Sequence, residues 1–130
     1  MLSVAILAGG RSERMGRDKA RMPFLGHPLI LRIIERLRLL TDDLFVMTDR
    51  PADYAFLGIP IHADLEPGRG TLGGLYSSLM TARNPIVAIA ACDIPFASPA
   101  LLDEIHDQNQ FVQKYNLTRT NCIFCAKNTI

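Results

Sequence analysis

A chain of 130 residues with 48% apolar side chains suffices for one ordinary domain with a real core and excludes global disorder. A formal net charge of +1 excludes a surface that binds nucleic acid throughout. No apolar run approaches the roughly 18 to 20 residues of a membrane span. Met1-Leu2-Ser3 has no basic n-region for a signal peptide, so a soluble cytoplasmic protein with neither nucleic acid nor membrane as partner is expected.

The first predicted element is a buried strand over residues 4–7. It breaks at Ala8-Gly9-Gly10 into a loop carrying Arg11, Arg14, Arg17 and Lys19, against Glu13 and Asp18. Glycines let backbone N–H groups approach an anion and the cations neutralise it, which points to a polyphosphate. Residues 28–40 place apolar side chains at 29, 30, 33, 34, 37 and 40 with charged residues between them. That is helical spacing, with Pro28 suited to the first turn and the Leu/Ile stripe assigned to the core.

Short strands are predicted at 44–47, ending in Thr48-Asp49-Arg50-Pro51, and at 59–62. Asp64 begins a long Gly-rich loop that runs to Gly74 and leads into a helix over 75–82. The clearest buried strand is 86–91, which runs straight into Cys92-Asp93-Ile94-Pro95. Ser98-Pro99 supplies an N-cap and a first helical position for a helix to about residue 107. Strands alternating with helices predict an α/β fold with a Rossmann-like, mostly parallel sheet, helices on both faces and ligands at the strands' carboxyl ends. The loop at 7–19, Asp49 and Asp93 all fall just after predicted strands.

Composition changes after residue 107. Before it there is no Gln, one Asn (Asn84) and one Lys (Lys19); from Gln108 onward Gln and Asn are frequent and Gly and Pro are missing. Residues 1–107 are read as the nucleotide-binding part of one domain and 108–130 as an atypical polar tail. The preferred reading of the tail is foreign or frame-shifted sequence; the other is a native segment in which 122–126 supplies an edge strand. Cys122-x-x-Cys125 has the spacing of half a zinc site or a redox pair, but no second pair accompanies it. Cys92 reads as a small buried residue, and His27, His62 and His106 form no ligand spacing.

The glycine register separates the kinds of nucleotide loop. A P-loop needs Gly, four residues, then Gly-Lys-Ser/Thr, whereas here five residues stand between Gly10 and Gly16 and Arg17 follows. Gly9-Gly10 with Gly16 does not fit the dinucleotide fingerprint either. The stretch Leu7-Ala-Gly-Gly-Arg-Ser-Glu-Arg-Met-Gly-Arg-Asp-Lys19 instead closely resembles the opening loop of molybdenum cofactor guanylyltransferases, the MobA family. The resemblance continues through Gly26-His-Pro-Leu-Ile30, Asp64, Pro67-Gly-Arg-Gly-Thr-Leu-Gly-Gly74 and Cys92-Asp-Ile-Pro-Phe96, and covers roughly residues 1–107.

The resemblance implies an enzyme, a Mg²⁺-dependent nucleotidyltransferase that moves GMP from GTP to the molybdopterin cofactor and releases pyrophosphate. GTP and the molybdopterin cofactor are then its substrates, and molybdoenzyme maturation proteins are candidate partners. It implies that the backbone of Leu7, Ala8, Gly9 and Gly10 lines the nucleotide site, that Lys19 reaches the triphosphate and that Arg14 adds charge around the leaving pyrophosphate. Asp93 corresponds to the Mg²⁺ ligand, and Asp49 and Asp64 to nucleotide-contacting positions. Position 49 departs from the pattern, because the family often has Asn there and an ionised Asp accepts but cannot donate. Two other readings stand beside this one. One is a related nucleotidyltransferase using CTP or a sugar-phosphate acceptor. The other is an inactive nucleotide-binding fragment, because family members continue well past this length.

Overall fold

The computed structural model describes residues 2–9, 18–92, 100 and 121–124. In chain order the strands are β1 (Leu2–Leu7), β2 (Pro23–Phe24), β3 (His27–Pro28), β4 (Asp43–Thr48), β5 (Ile61–Ala63), β6 (Ile86–Ala91) and β7 (Asn121–Phe124). The α-helices are α1 (Leu29–Leu37) and α2 (Gly70–Thr81), and short 3-10 segments cover Lys19–Arg21 and Pro51–Leu57. Five strands form one sheet in the order β5-β4-β1-β6-β7, with every pairing parallel. The chain steps outward from β1 through β4 to β5, then crosses back to lay β6 on the other side of β1. That reversal makes the carboxyl ends of β1 and β6 the switch point where open α/β sheets bind ligands.

A parallel sheet is covered on both faces, so its central strands are apolar throughout, and side-chain alternation decides which helix each residue meets. Val4, Ile6, Leu44, Val46, Ile86 and Ala88 share one core with Ile30, Ile33, Ile34 and Leu37 of α1. Ala5, Phe45, Met47, Val87 and Ile89 face the other way, against Leu75 and Leu79 of α2. The expected fold class is observed: an α/β parallel sheet with helices on both faces.

Three local features depart from the spacing argument. Residues 23–28 form a tight antiparallel hairpin whose two turn residues, Leu25 and Gly26, have φ of 50° and 85°. Such a turn matches the twist of its strands, but favours Asn-Gly over Leu-Gly. The hairpin also caps α1: Pro28 is extended, and the Leu29 N–H donates to the Met22 carbonyl at 2.9 Å. The helix therefore starts after Pro28, and it ends at Leu37 rather than 40.

Helix α2 begins at Gly70, five residues before the sequence expectation. Glycine disfavours helix interiors, but here packing overrides propensity. A β-carbon on Gly73 would lie 2.8 Å from the Glu66 carbonyl oxygen, so only glycine lets the preceding loop fold back on the helix. Buried Ser77 ties the two together, accepting from the Leu65 N–H at 2.8 Å and donating to the Gly73 carbonyl at 2.7 Å.

The third feature lies at the polar tail, where Asn121–Phe124 runs parallel to β6 with Asn121 opposite Ile86. The edge strand weighed for 122–126 is thus present, slightly displaced. The helix expected to end near 107 lies outside the described residues. Among the described residues, no helix is long and apolar enough to cross a membrane.

Opposite the switch point, at the amino ends of the strands, a polar clamp closes the sheet. Buried Asp43 accepts from the Ser3 hydroxyl, from the Arg83 backbone N–H at 2.9 Å and from Arg83 Nε at 2.9 Å. The Asn84 N–H donates to Ser3 Oγ at 3.0 Å. Burial alone would raise the Asp43 carboxyl, but these donors and the Arg83 charge together hold it below its ordinary value.

Candidate functional site

The carboxyl end of β1 is locked between its neighbours: the Ala8 N–H donates to the Met47 carbonyl at 3.0 Å, and the Cys92 N–H to the Leu7 carbonyl at 3.1 Å. The chain leaving β1 is thereby fixed against the chains leaving β4 and β6. Gly9 follows with φ of 85°, a conformation that L-residues rarely adopt. A β-carbon there would meet Asp49 Oδ1 at 2.7 Å and Thr48 Oγ1 at 2.9 Å. The missing side chain lets the backbone press directly onto the β4 loop. Thr48 is buried and its Oγ1 accepts from the Arg50 N–H at 3.1 Å, which holds the bend that presents Asp49.

Asp64 sits just past β5. A β-carbon on Gly74 of α2 would lie 3.3 Å from Leu7 Cδ2 and 3.8 Å from Asp64 Oδ1, so helix, β1 end and Asp64 meet at one point. Burial first, and then the charge of Asp49, push the Asp64 carboxyl above its ordinary range. Two carboxylates therefore face the same crevice, with Arg50 3.6 Å from Asp49, an arrangement that favours an arriving hydrogen-bond donor or cation at Asp64.

The structure brings together Leu7, Ala8, Gly9, Asp49 and Asp64 from the expected set. Gly10, Arg14 and Asp93 lie outside the described residues, as does the side chain of Lys19; the Lys19 backbone opens the 3-10 turn Lys19–Arg21. Gly73 and Gly74, expected at the end of the Gly-rich loop, lie inside α2 and serve its close packing. Cys92 is half-buried against the core.

Among the described residues, no three acidic, His or Cys side chains form a ready-made metal cage. Mg²⁺ does not need one, since it keeps waters and substrate phosphate oxygens and takes one or two carboxylates from the protein. The Cys92–Leu7 bond fixes Cys92 beside the β1 loop, and the described carboxylates at this edge, Asp49 and Asp64, are hard oxygen donors of the kind a phosphate-bridging cation takes.

A second set of charges was not anticipated. Asp18 accepts from the buried Tyr54 hydroxyl at 2.6 Å and from the Ala20 N–H at 3.1 Å. Arg50 lies among three carboxylates, 3.7 Å from Asp18, 3.6 Å from Asp49 and 3.6 Å from Asp53. No spacing rule finds this cluster, because Asp18 and Tyr54 belong to different loops.

Comparison with known proteins identifies the family and the fold. Residues 4–122 match the family described as MobA-like NTP transferase domain. A probable molybdenum cofactor guanylyltransferase of Carboxydothermus hydrogenoformans is 38% identical over 117 residues, covering 90% of this chain and 57% of that protein. A molybdenum cofactor guanylyltransferase of Burkholderia ambifaria is 38% identical over 108 residues, covering 78% of this chain and 53% of that protein. The chain spans about half the length of these relatives. The solved structure of molybdopterin-guanine dinucleotide biosynthesis protein A from Archaeoglobus fulgidus shares the fold. It has a TM-score of 0.70 and 24% identity, over 86% of this chain and 57% of that one. With the fold, the loop at the end of β1 and the sequence match in agreement, the chain belongs to the MobA-like NTP transferase domain family.

Proposed function

We propose that this chain binds GTP at the carboxyl edge of the sheet and carries the nucleotide half of a guanylyl transfer to the molybdopterin cofactor. The observation that carries the reading is the close approach of Gly9 to Asp49, with Asp64 beside it, at the carboxyl edge of the sheet. Guanine offers an N1–H and an exocyclic amine on one edge, and an ionised Asp49 is suited to accept from them. The Asn common in the family can also donate; Asp49 cannot, so the purine carbonyl takes its donor from backbone N–H groups of the β1 loop in this reading.

In the reaction, an oxygen of the terminal phosphate of the molybdopterin cofactor forms a bond to the α-phosphorus of GTP. The bond from that phosphorus to the β-phosphate bridging oxygen breaks, and pyrophosphate leaves. Both partners are anionic, so positioning and charge neutralisation are the main tasks of the protein. Lys19 and Arg14 are assigned to the triphosphate and the departing pyrophosphate, and Asp93 to Mg²⁺. When bound, Mg²⁺ draws charge from the phosphate oxygens. Leu7, Ala8, Gly9 and Gly10 line the nucleotide with backbone, and a cytoplasmic setting suits soluble substrates of this kind.

The test is pyrophosphate release from GTP with Mg²⁺, with and without the molybdopterin cofactor. Acceptor-dependent release with GTP supports transfer. Release that is as strong with CTP overturns the guanylyl assignment, and GTP binding without any acceptor-dependent release overturns transfer by this chain.

A further inference from the structure

Lys19 sits on a turn that the fold holds from below. Ala20 is fully buried, the Arg21 N–H donates to the Asp18 carbonyl at 3.2 Å, and the Ala20 N–H donates to Asp18 Oδ1 at 3.1 Å. The other carboxylate oxygen of Asp18 accepts from the Tyr54 hydroxyl at 2.6 Å. Tyr54 comes from the 3-10 segment after β4, on the same loop as Asp49, and its ring is fully buried in the core. Arg50 lies near Asp18, Asp49 and Asp53 at once, at distances that make it an electrostatic partner rather than a hydrogen-bond donor.

We infer that Tyr54, through Asp18, is a positioning residue that sets the lysine-bearing turn in register with the Asp49 loop. Phosphate-side and base-side elements of the site are thereby held at a fixed separation. Burial, followed by the bond to Asp18 and its charge, pushes the Tyr54 phenol far above its ordinary range, so it remains a donor at every working pH. The proposal rests on the nucleotide reading above and on Lys19 serving the triphosphate.

The experiment is a double-mutant cycle by calorimetric titration of GTP and of guanosine, which lacks phosphates. Tyr54→Phe keeps the buried ring and removes the donor. It is expected to weaken GTP about tenfold while changing guanosine less than about twofold. In a Lys19→Ala background the same substitution is expected to leave GTP nearly unchanged. Asp18→Ala removes the acceptor at the other end of the link and gives the same pattern if Tyr54→Phe fails to fold. Equal losses for GTP and guanosine, or equal effects with and without Lys19, overturn the positioning role. Failure of the unaltered chain to bind GTP at all overturns the nucleotide reading, and this inference with it.

Discussion

Replacing Gly9 with Ala tests the site at its tightest point. The substitution puts a side chain on a residue with φ of 85°, which costs about 1–2 kcal/mol for an L-residue. The new methyl also arrives 2.7 Å from Asp49 Oδ1 and 2.9 Å from Thr48 Oγ1, closer than a carbon can sit. Asp49 is half-exposed and can swing outward, whereas Thr48 is buried and its Oγ1 holds the Arg50 N–H. Displacing Thr48 loses that bond, a further ~1 kcal/mol. Gly9→Ala is therefore expected to lower unfolding stability by about 2–3 kcal/mol, read by urea denaturation. GTP affinity is expected to fall at least about tenfold, because Asp49 no longer faces the crevice. Adding Asp49→Ala relieves part of the crowding, so the two costs should add to less than their sum. A Gly9→Ala protein within about 0.5 kcal/mol of the parent, with unchanged GTP affinity, refutes the argument from close approach.

Other substitutions separate structure from site. Leu25→Asn gives the exposed hairpin turn a residue that tolerates its left-handed φ of 50°; a gain of about 0.5–1 kcal/mol in urea unfolding is expected. Asp43→Ala leaves the buried Ser3 hydroxyl and the Arg83 amide without their acceptor, at a cost of about 2–3 kcal/mol. Because the folded chain holds the Asp43 carboxyl below its ordinary value, its contribution is complete above that ordinary value and is lost as pH falls through the depressed one. Asp43→Asn should accordingly flatten the acid limb of a stability-versus-pH curve. Asp64 has the opposite sign: its raised carboxyl penalises the folded state above its own pKa, and the penalty disappears as pH falls through it. Asp64→Asn should raise the unfolding free energy at pH 7 by less than about 1 kcal/mol, the range for a partly exposed pair, while weakening GTP in the same titration.

Much of the fold was legible because buried parallel strands are short apolar runs. Residues 86–91 were expected as a strand and form β6 with the same bounds. The stripe at 29, 30, 33, 34 and 37 faces the core as its spacing implies. Helix α2 was legible only from residue 75, because glycine's weak propensity conceals a start that tertiary packing against Glu66 makes favourable. The hairpin at 23–28 was invisible for a similar reason, since Leu25 stands where the turn favours Asn. At the site, Asp49 could be placed from its position after a strand and Asp64 from the family resemblance, and the sheet order then brings them together. The Asp18–Tyr54 bond could not be foreseen: it joins two loops through a 3-10 segment with no periodic pattern. Its only sequence signal was an acidic residue immediately before Lys19 in a strongly basic loop.

The measurement that bears most directly on the account is a calorimetric titration of the chain with GTP, CTP, ATP and UTP in Mg²⁺, repeated on Asp49→Ala and Asp64→Ala. The account predicts saturable GTP binding at least about tenfold tighter than CTP, with that preference lost in Asp49→Ala. CTP binding as tight as GTP, or GTP binding indifferent to both carboxylates, contradicts a guanine nucleotide site at the carboxyl edge of this sheet.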